Sequence, residues 1–152
     1  MNNWDRIVCE HGPAVFSTAW RILGHAAETE GVVEEVFSQA RQVAQAGPVR
    51  SWEALLRRLA ATRALERLRQ RPPGARDRDP AARLRWALGR LPDREAAVFS
   101  LRYFDDLSCE QISQTLLLTR AAVAAALRHA RWRLEALLRP GVQEPAGAPG
   151  AA

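Results

Sequence analysis

Apolar residues along the chain recur at helical spacings, and no alternating strand pattern of useful length appears. Trp4, Val8, His11, Val15, Ala19, Ile22 and Leu23 form a first stripe at spacings of three and four. Gly12-Pro13 cuts across it, which predicts a kink or a restart with Pro13 in a first turn. Gly24 ends this helix. Val33, Val36, Phe37, Ala40 and Ala44 predict a second helix, entered through Glu28 and Glu30 and stopped by Gly47-Pro48. A third runs from about Trp52 to Gln70, with Leu55, Leu56, Leu59, Ala60, Leu65 and Leu68 facing inward.

Residues 72–79, with Pro72-Pro73-Gly74, cannot continue that helix and read as a linker. Beyond it, Pro80 to Leu88 predicts a short helix, and Pro92 opens another that ends near Tyr103-Phe104. Ser108 and Gln111, three apart, fit a capping box for a helix reaching about Leu116. Thr119 then caps a long helix with Val123, Leu127, Ala130, Leu134, Leu137 and Leu138 inward. The expected fold class is all-α: a three-helix module over 1–71 and a four-helix module over 80–139, held apart by the short linker. Residues 140–152 are Pro/Gly/Ala-rich and are expected to be disordered.

Composition narrows the chemistry. The 152 residues contain 22 arginines and no lysine against 17 acids. Residues 1–46 hold three Arg and six acids, net −3, whereas 49–90 hold twelve Arg and four acids, net +8. Residues 107–139 hold five Arg and two acids, net +3. One acidic and two basic blocks predict one protein-facing surface and two polyanion-facing ones. No run approaches the roughly 20 apolar residues of a membrane span, and no secretory signal opens the chain. A cytoplasmic protein without membrane insertion is expected. Two distant cysteines and three scattered histidines offer neither a disulfide framework nor a metal set, and no Ser/His/Asp set can be drawn. No catalytic residue, metal or cofactor is expected.

Three constellations remain. The short capped helix, its turn and the long basic helix form a helix-turn-helix, with the Thr119 end placed to meet base edges. Arg120, Arg128 and Arg131 fall on one face of the long helix and reach for phosphates. On the third helix, Arg58, Thr62, Glu66 and Arg69 stack on one face, flanked by Arg63, Arg67 and Arg71. Two acids cannot pair all the arginines between 50 and 71, which favours a polyanion over a solvated helix back. Glu28, Glu30, Glu34 and Glu35 put four carboxylates into eight residues. The Glu-x-x-His pattern of carboxylate-metal bundles is missing, so this face is expected to dock a basic protein surface.

Together these pieces resemble a bacterial sigma factor of the extracytoplasmic-function (ECF) type from about Trp4 to Leu138. Ala19-Trp20-Arg21-Ile22-Leu23-Gly24, Glu28 to Phe37, and Arg58-Leu59-Ala60 through Arg69 look like the family's region two. Leu91-Pro92-Asp93-Arg94-Glu95, Leu101-Arg102-Tyr103-Phe104, Glu110-Gln111-Ile112 and Ala130-Arg131-x-Arg133-Leu134 look like region four. The resemblance implies a transcription initiation factor whose partners are core RNA polymerase and promoter DNA. An anti-sigma factor is a further candidate partner.

It also implies roles by position. Glu28, Glu30, Glu34, Glu35 and Phe37 would meet the clamp coiled coil, and region four the flap. Arg50, Arg58, Thr62, Arg63, Glu66, Arg67 and Arg69 would meet the −10 element, with the 46–51 loop receiving a flipped base. Thr119, Arg120, Ala124, Arg128 and Arg131 would meet the −35 element. The chain departs from the family at Gly31 and Glu34, at Thr62 and Glu66, and at Leu117, where a turn glycine is usual. Mid-helix Ala124-Ala125-Ala126 replaces basic residues, so −35 readout is expected to lean on the remaining contacts and on DNA shape. Two rival readings stay open: a degenerate polymerase-binding decoy, and a helix-turn-helix regulator independent of polymerase.

Overall fold

A computed structural model describes residues 2–71 and 79–139. They form seven helices: α1 (Asn3–Leu23), α2 (Ala26–Ala46), α3 (Trp52–Arg69), α4 (Pro80–Leu88), α5 (Asp93–Tyr103), α6 (Cys109–Leu116) and α7 (Arg120–Leu138). No strand occurs among the described residues, and the all-α expectation holds. None of their helices is long and apolar enough to cross a membrane.

Short polar side chains set the helix starts. Asn2, Ser51, Asp79 and Thr119 accept from the backbone N–H three residues on, and so does the His25 ring nitrogen. The expected capping box is present at Ser108 and Gln111. Gly24 ends α1 in the left-handed region at φ 62°, and its N–H bonds back to the Trp20 carbonyl.

Three expectations change. α1 runs as one helix through Pro13 rather than restarting there. Pro13 and Cys9 are both exposed, and packing of α1 on α2 and α3 offsets the cost of the missing hydrogen bond. The buried stripe of α2 is Thr29, Val32, Val36, Phe37 and Ala40, with Val33 and Ala44 only half-buried. Asp79, expected in the linker, instead caps α4. The rest of that segment, 72–78, and the tail 140–152 lie outside the described residues.

The largest departure concerns the two modules. They are not held apart. α3 packs on α1 and α2 and also on α4, α5 and α6, while α7 packs on α4, α5 and α6. Buried apolar residues from both halves belong to one cluster, from Ile7 to Leu134. The physical reason lies in α3. Its buried positions (Leu55, Leu56, Leu59, Ala60, Ala61, Ala64, Leu65 and Leu68) run most of the way around the helix instead of along one stripe. A helix apolar on several sides must be covered on several sides.

Candidate nucleic-acid interface

The helix-turn-helix is built by local chemistry. Ser113 Oγ donates to the Leu118 carbonyl at 2.6 Å, and the Leu118 N–H returns to the Ser113 carbonyl. Leu117 between them is left-handed at φ 58°, a conformation that usually falls to glycine, and its side chain is 75% exposed. Thr119 Oγ1 accepts from Ala122 N at 3.0 Å and starts α7.

The expected −35 residues lie on the open side of α7. Thr119, Arg120, Ala124, Arg128 and Arg131 are all exposed. Arg120 reaches Glu110 at 2.5 Å, an ion pair in which both partners face water. Arg128 makes no ion pair among the described residues. Arg131 is tied differently: its Nε donates to the Tyr103 hydroxyl at 2.6 Å, Nη2 donates there too, and the guanidinium lies 5.4 Å from the ring centroid. A half-exposed tyrosine thus fixes the fork of an exposed arginine. Sequence reasoning named Tyr103 within the region-four motif but gave it no role beside Arg131.

The α3 face is different in kind. Thr62 and Arg50 are exposed, but the other arginines have protein partners. Arg63 donates to Gln39 Oε1 at 2.7 and 3.0 Å and lies 3.3 Å from Glu66. Arg67 pairs with Glu35, lying along α2 where Gly31 leaves room; a Cβ there would stand 3.0 Å from Arg67 Nη2. Arg58 Nη1 donates to the Thr115 carbonyl at 3.3 Å. Arg69 donates to the Leu91 carbonyl at 3.3 Å and pairs with Asp93 at 2.5 Å. Two of the expected −10 arginines therefore contact the second half of the chain.

On α2 the four carboxylates divide. Glu30 and Glu34 are exposed, while Glu35 pairs with Arg67, and Glu28 accepts from Arg71 at 2.7 Å. Phe37 is 8% exposed and packs edge-on against Trp4, so it is a core residue here. Trp4, Phe37, Ser38, Arg41, Gln42 and Gln45 line an open groove of about 440 Å³ near the 46–51 loop.

Asp105 is the most connected residue that sequence reasoning missed. Its side chain is 5% exposed, although it follows α5 in a turn of the second half. It accepts from Thr18 Oγ1 at 2.6 Å and Arg21 Nη1 at 3.1 Å, with Arg57 Nε at 3.6 Å. All three donors belong to the first half. A signal existed: a carboxylate just past a helix C-terminus opposes the helix dipole and needs another reason to be there. Nearby, Arg85 donates to the Ile22 carbonyl at 3.0 Å and crowds the position of a Gly24 Cβ. Burial, together with Arg71, pushes the Arg85 pKa down, with Asp79 opposing.

Comparison with known proteins agrees with this geometry. Residues 81–134, which span α4 to the last buried turn of α7, match the family model for sigma-70, region 4. The ECF RNA polymerase sigma factor SigE of Mycolicibacterium smegmatis is 26% identical over 168 aligned positions. That alignment takes in 96% of this chain and 65% of the relative, so the chain spans somewhat less than two thirds of its length. Together these findings make the chain similar to ECF-type sigma factors. The fold agrees as well. A chain in the co-crystal structure of the sigma factor RpoE with the anti-sigma factor NepR from Bartonella quintana superposes with a TM-score of 0.59. The two share 14% identity, over 93% of this chain and all of that one. The region-4 match includes both the open arginine face of α7 and the segment that carries Tyr103 and Asp105.

Proposed function

We propose that this chain is a non-catalytic transcription initiation factor that binds core RNA polymerase and directs it to specific promoters. The observation that carries the reading is the helix-turn-helix of the region-4 segment, whose second helix presents Thr119, Arg120, Arg128 and Arg131 on an open face. That face meets the −35 element, with the arginines on phosphates and Thr119 at base edges. The module 1–71 supplies the other contacts. Glu30 and Glu34 are exposed to a basic clamp surface, joined by Glu28 and Glu35 when their arginines turn to DNA. Phe37 supports that surface from beneath. Arg50, Thr62, Arg63, Glu66 and Arg67, with Arg58 and Arg69, serve the −10 element.

A second reading has one observation in its favour. Ala124 sits exposed in the second turn of α7 and offers a base edge only a methyl, as a polymerase-binding decoy without promoter choice would. Run-off transcription with purified core polymerase decides. Discrete transcripts from a subset of promoters are expected. Polymerase binding without transcripts supports the decoy, and duplex binding without polymerase binding supports an independent regulator.

A further inference from the structure

We propose that the two halves of the chain are latched together by Asp105 and Asp93, and that duplex DNA competes with this latch for Arg58 and Arg69 of α3. The inference rests on the proposed reading of α3 as a DNA-binding face.

The latch is built from complementary charge. Asp105, from the turn after α5, is enclosed by Thr18 and Arg21 of α1 and by Arg57 of α3. A carboxylate that loses its water needs such donors, and here one half of the chain provides the acid and the other provides all the donors. At the far end of α3, Asp93 holds Arg69. Between them, Arg58 sits on the carbonyl of Thr115, in the last turn of α6, where the helix dipole is negative. Oxygen acceptors of the second half thus stand where phosphate oxygens would stand in a complex.

The same guanidinium donors cannot serve both. While α5 and α6 stand against this face, a duplex reaches Arg50 and Thr62, and it reaches Arg69 only by displacing Asp93. Binding that engages Arg58 must first separate α3 from α6, so any ligand preferring the separated form shifts the chain toward it. Promoter binding and opening of the chain are then linked quantities.

The test uses the full chain and two isosteric neutralisations of neighbouring residues. Asp105→Asn removes the enclosed charge. Asp106→Asn removes the same charge from a side chain that is 96% exposed and, among the described residues, pairs with Arg102 of its own half. Asn also tolerates the left-handed conformation of that position, φ 55°. Solution X-ray scattering reads the radius of gyration, and anisotropy with a short duplex of unrelated sequence reads affinity from about 50 to about 200 mM salt. Asp105→Asn should enlarge the radius and steepen the slope of log affinity against log salt by about 0.9 for each arginine released. Asp106→Asn should do neither.

Asp93→Asn, at a side chain that is 89% exposed, should steepen the slope by about 0.9 on its own, because it frees Arg69 alone. It decides the matter if circular dichroism finds Asp105→Asn unfolded. Slopes for Asp105→Asn and Asp93→Asn that match Asp106→Asn overturn the proposal, and a chain that still directs transcripts would leave the proposed function intact. A radius that grows while no variant binds duplex overturns the competition and the DNA reading of α3 together.

Discussion

Helices α3 and α7 look alike as strings of residues: each mixes an apolar set with arginines that outnumber its acids. In the folded chain they are opposites. α3 lies between five other helices, and its arginines 57, 58, 63, 67 and 69 all touch protein acceptors. α7 packs along one side, leaving Arg128 in water and Arg120 in a pair exposed on both partners. Exposed pairs of that kind contribute on the order of 0–1 kcal/mol and exchange readily for a phosphate. The contrast teaches that a count of arginines measures potential affinity for polyanions, while the number of sides a helix buries decides how much of it is available.

The largest effect that would test this contrast is on stability. Leu65 of α3 is 2% exposed and Leu134 of α7 is 4% exposed. Leu65→Ala should cost about 2–5 kcal/mol, measured by urea unfolding. Because α3 is packed by helices of both halves, hydrogen exchange should then quicken in α1–α2 and α5–α7 alike. Leu134→Ala should quicken exchange mainly in α4–α7. Two separate unfolding transitions in the parent chain would break the picture of α3 as a shared centre.

How much of this could be read beforehand divides along the same line. All seven helices were legible, as were the capping box at Ser108, the Thr119 cap and the turn between α6 and α7. Each depends on residues within three or four positions of one another. Pro13 misled as to a restart because its cost is local while its compensation, the packing of α1 on α2 and α3, is not. The shared exposed side of Thr119, Arg120, Ala124, Arg128 and Arg131 could be read from spacing alone, although Tyr103, 28 positions from Arg131, holds that arginine. The occupied α3 face could not. Arg58 meets a partner 57 positions away and Thr18 one 87 away, and no periodicity encodes such pairs. Separation of the modules was expected because a Pro-Gly stretch says where a chain turns and nothing about whether the flanking parts then touch.

A smaller effect sharpens the α7 side. Leu117 holds a left-handed backbone at φ 58° while burying little, so both its strain and its exposure are set by the turn it closes. Leu117→Gly should stabilise the chain by up to about 1 kcal/mol, since relief of the strain outweighs the little apolar surface that Leu117 covers, less the added freedom of the unfolded glycine. Thermal unfolding checks the sign. Destabilisation would mean that Leu117 packs more tightly than its exposure suggests, and the turn would join the core rather than the surface.

The smallest effect addresses the comparison directly, one arginine from each helix. Arg128 of α7 is exposed and unpaired among the described residues, whereas Arg58 of α3 donates to the Thr115 carbonyl. Truncating each to alanine removes one positive charge, so any general attraction to a duplex falls equally. Local contact does not. Arg128→Ala should flatten the dependence of log affinity on log salt by about 0.9, roughly threefold in affinity over a fourfold range of salt. Arg58→Ala in the same assay should leave the slope near that of the parent, because its guanidinium is already held by an acceptor inside the protein. Equal flattening by both would mean that α3 meets the duplex in the chain as it stands. Flattening by Arg58→Ala alone would reverse the assignment of open and occupied faces.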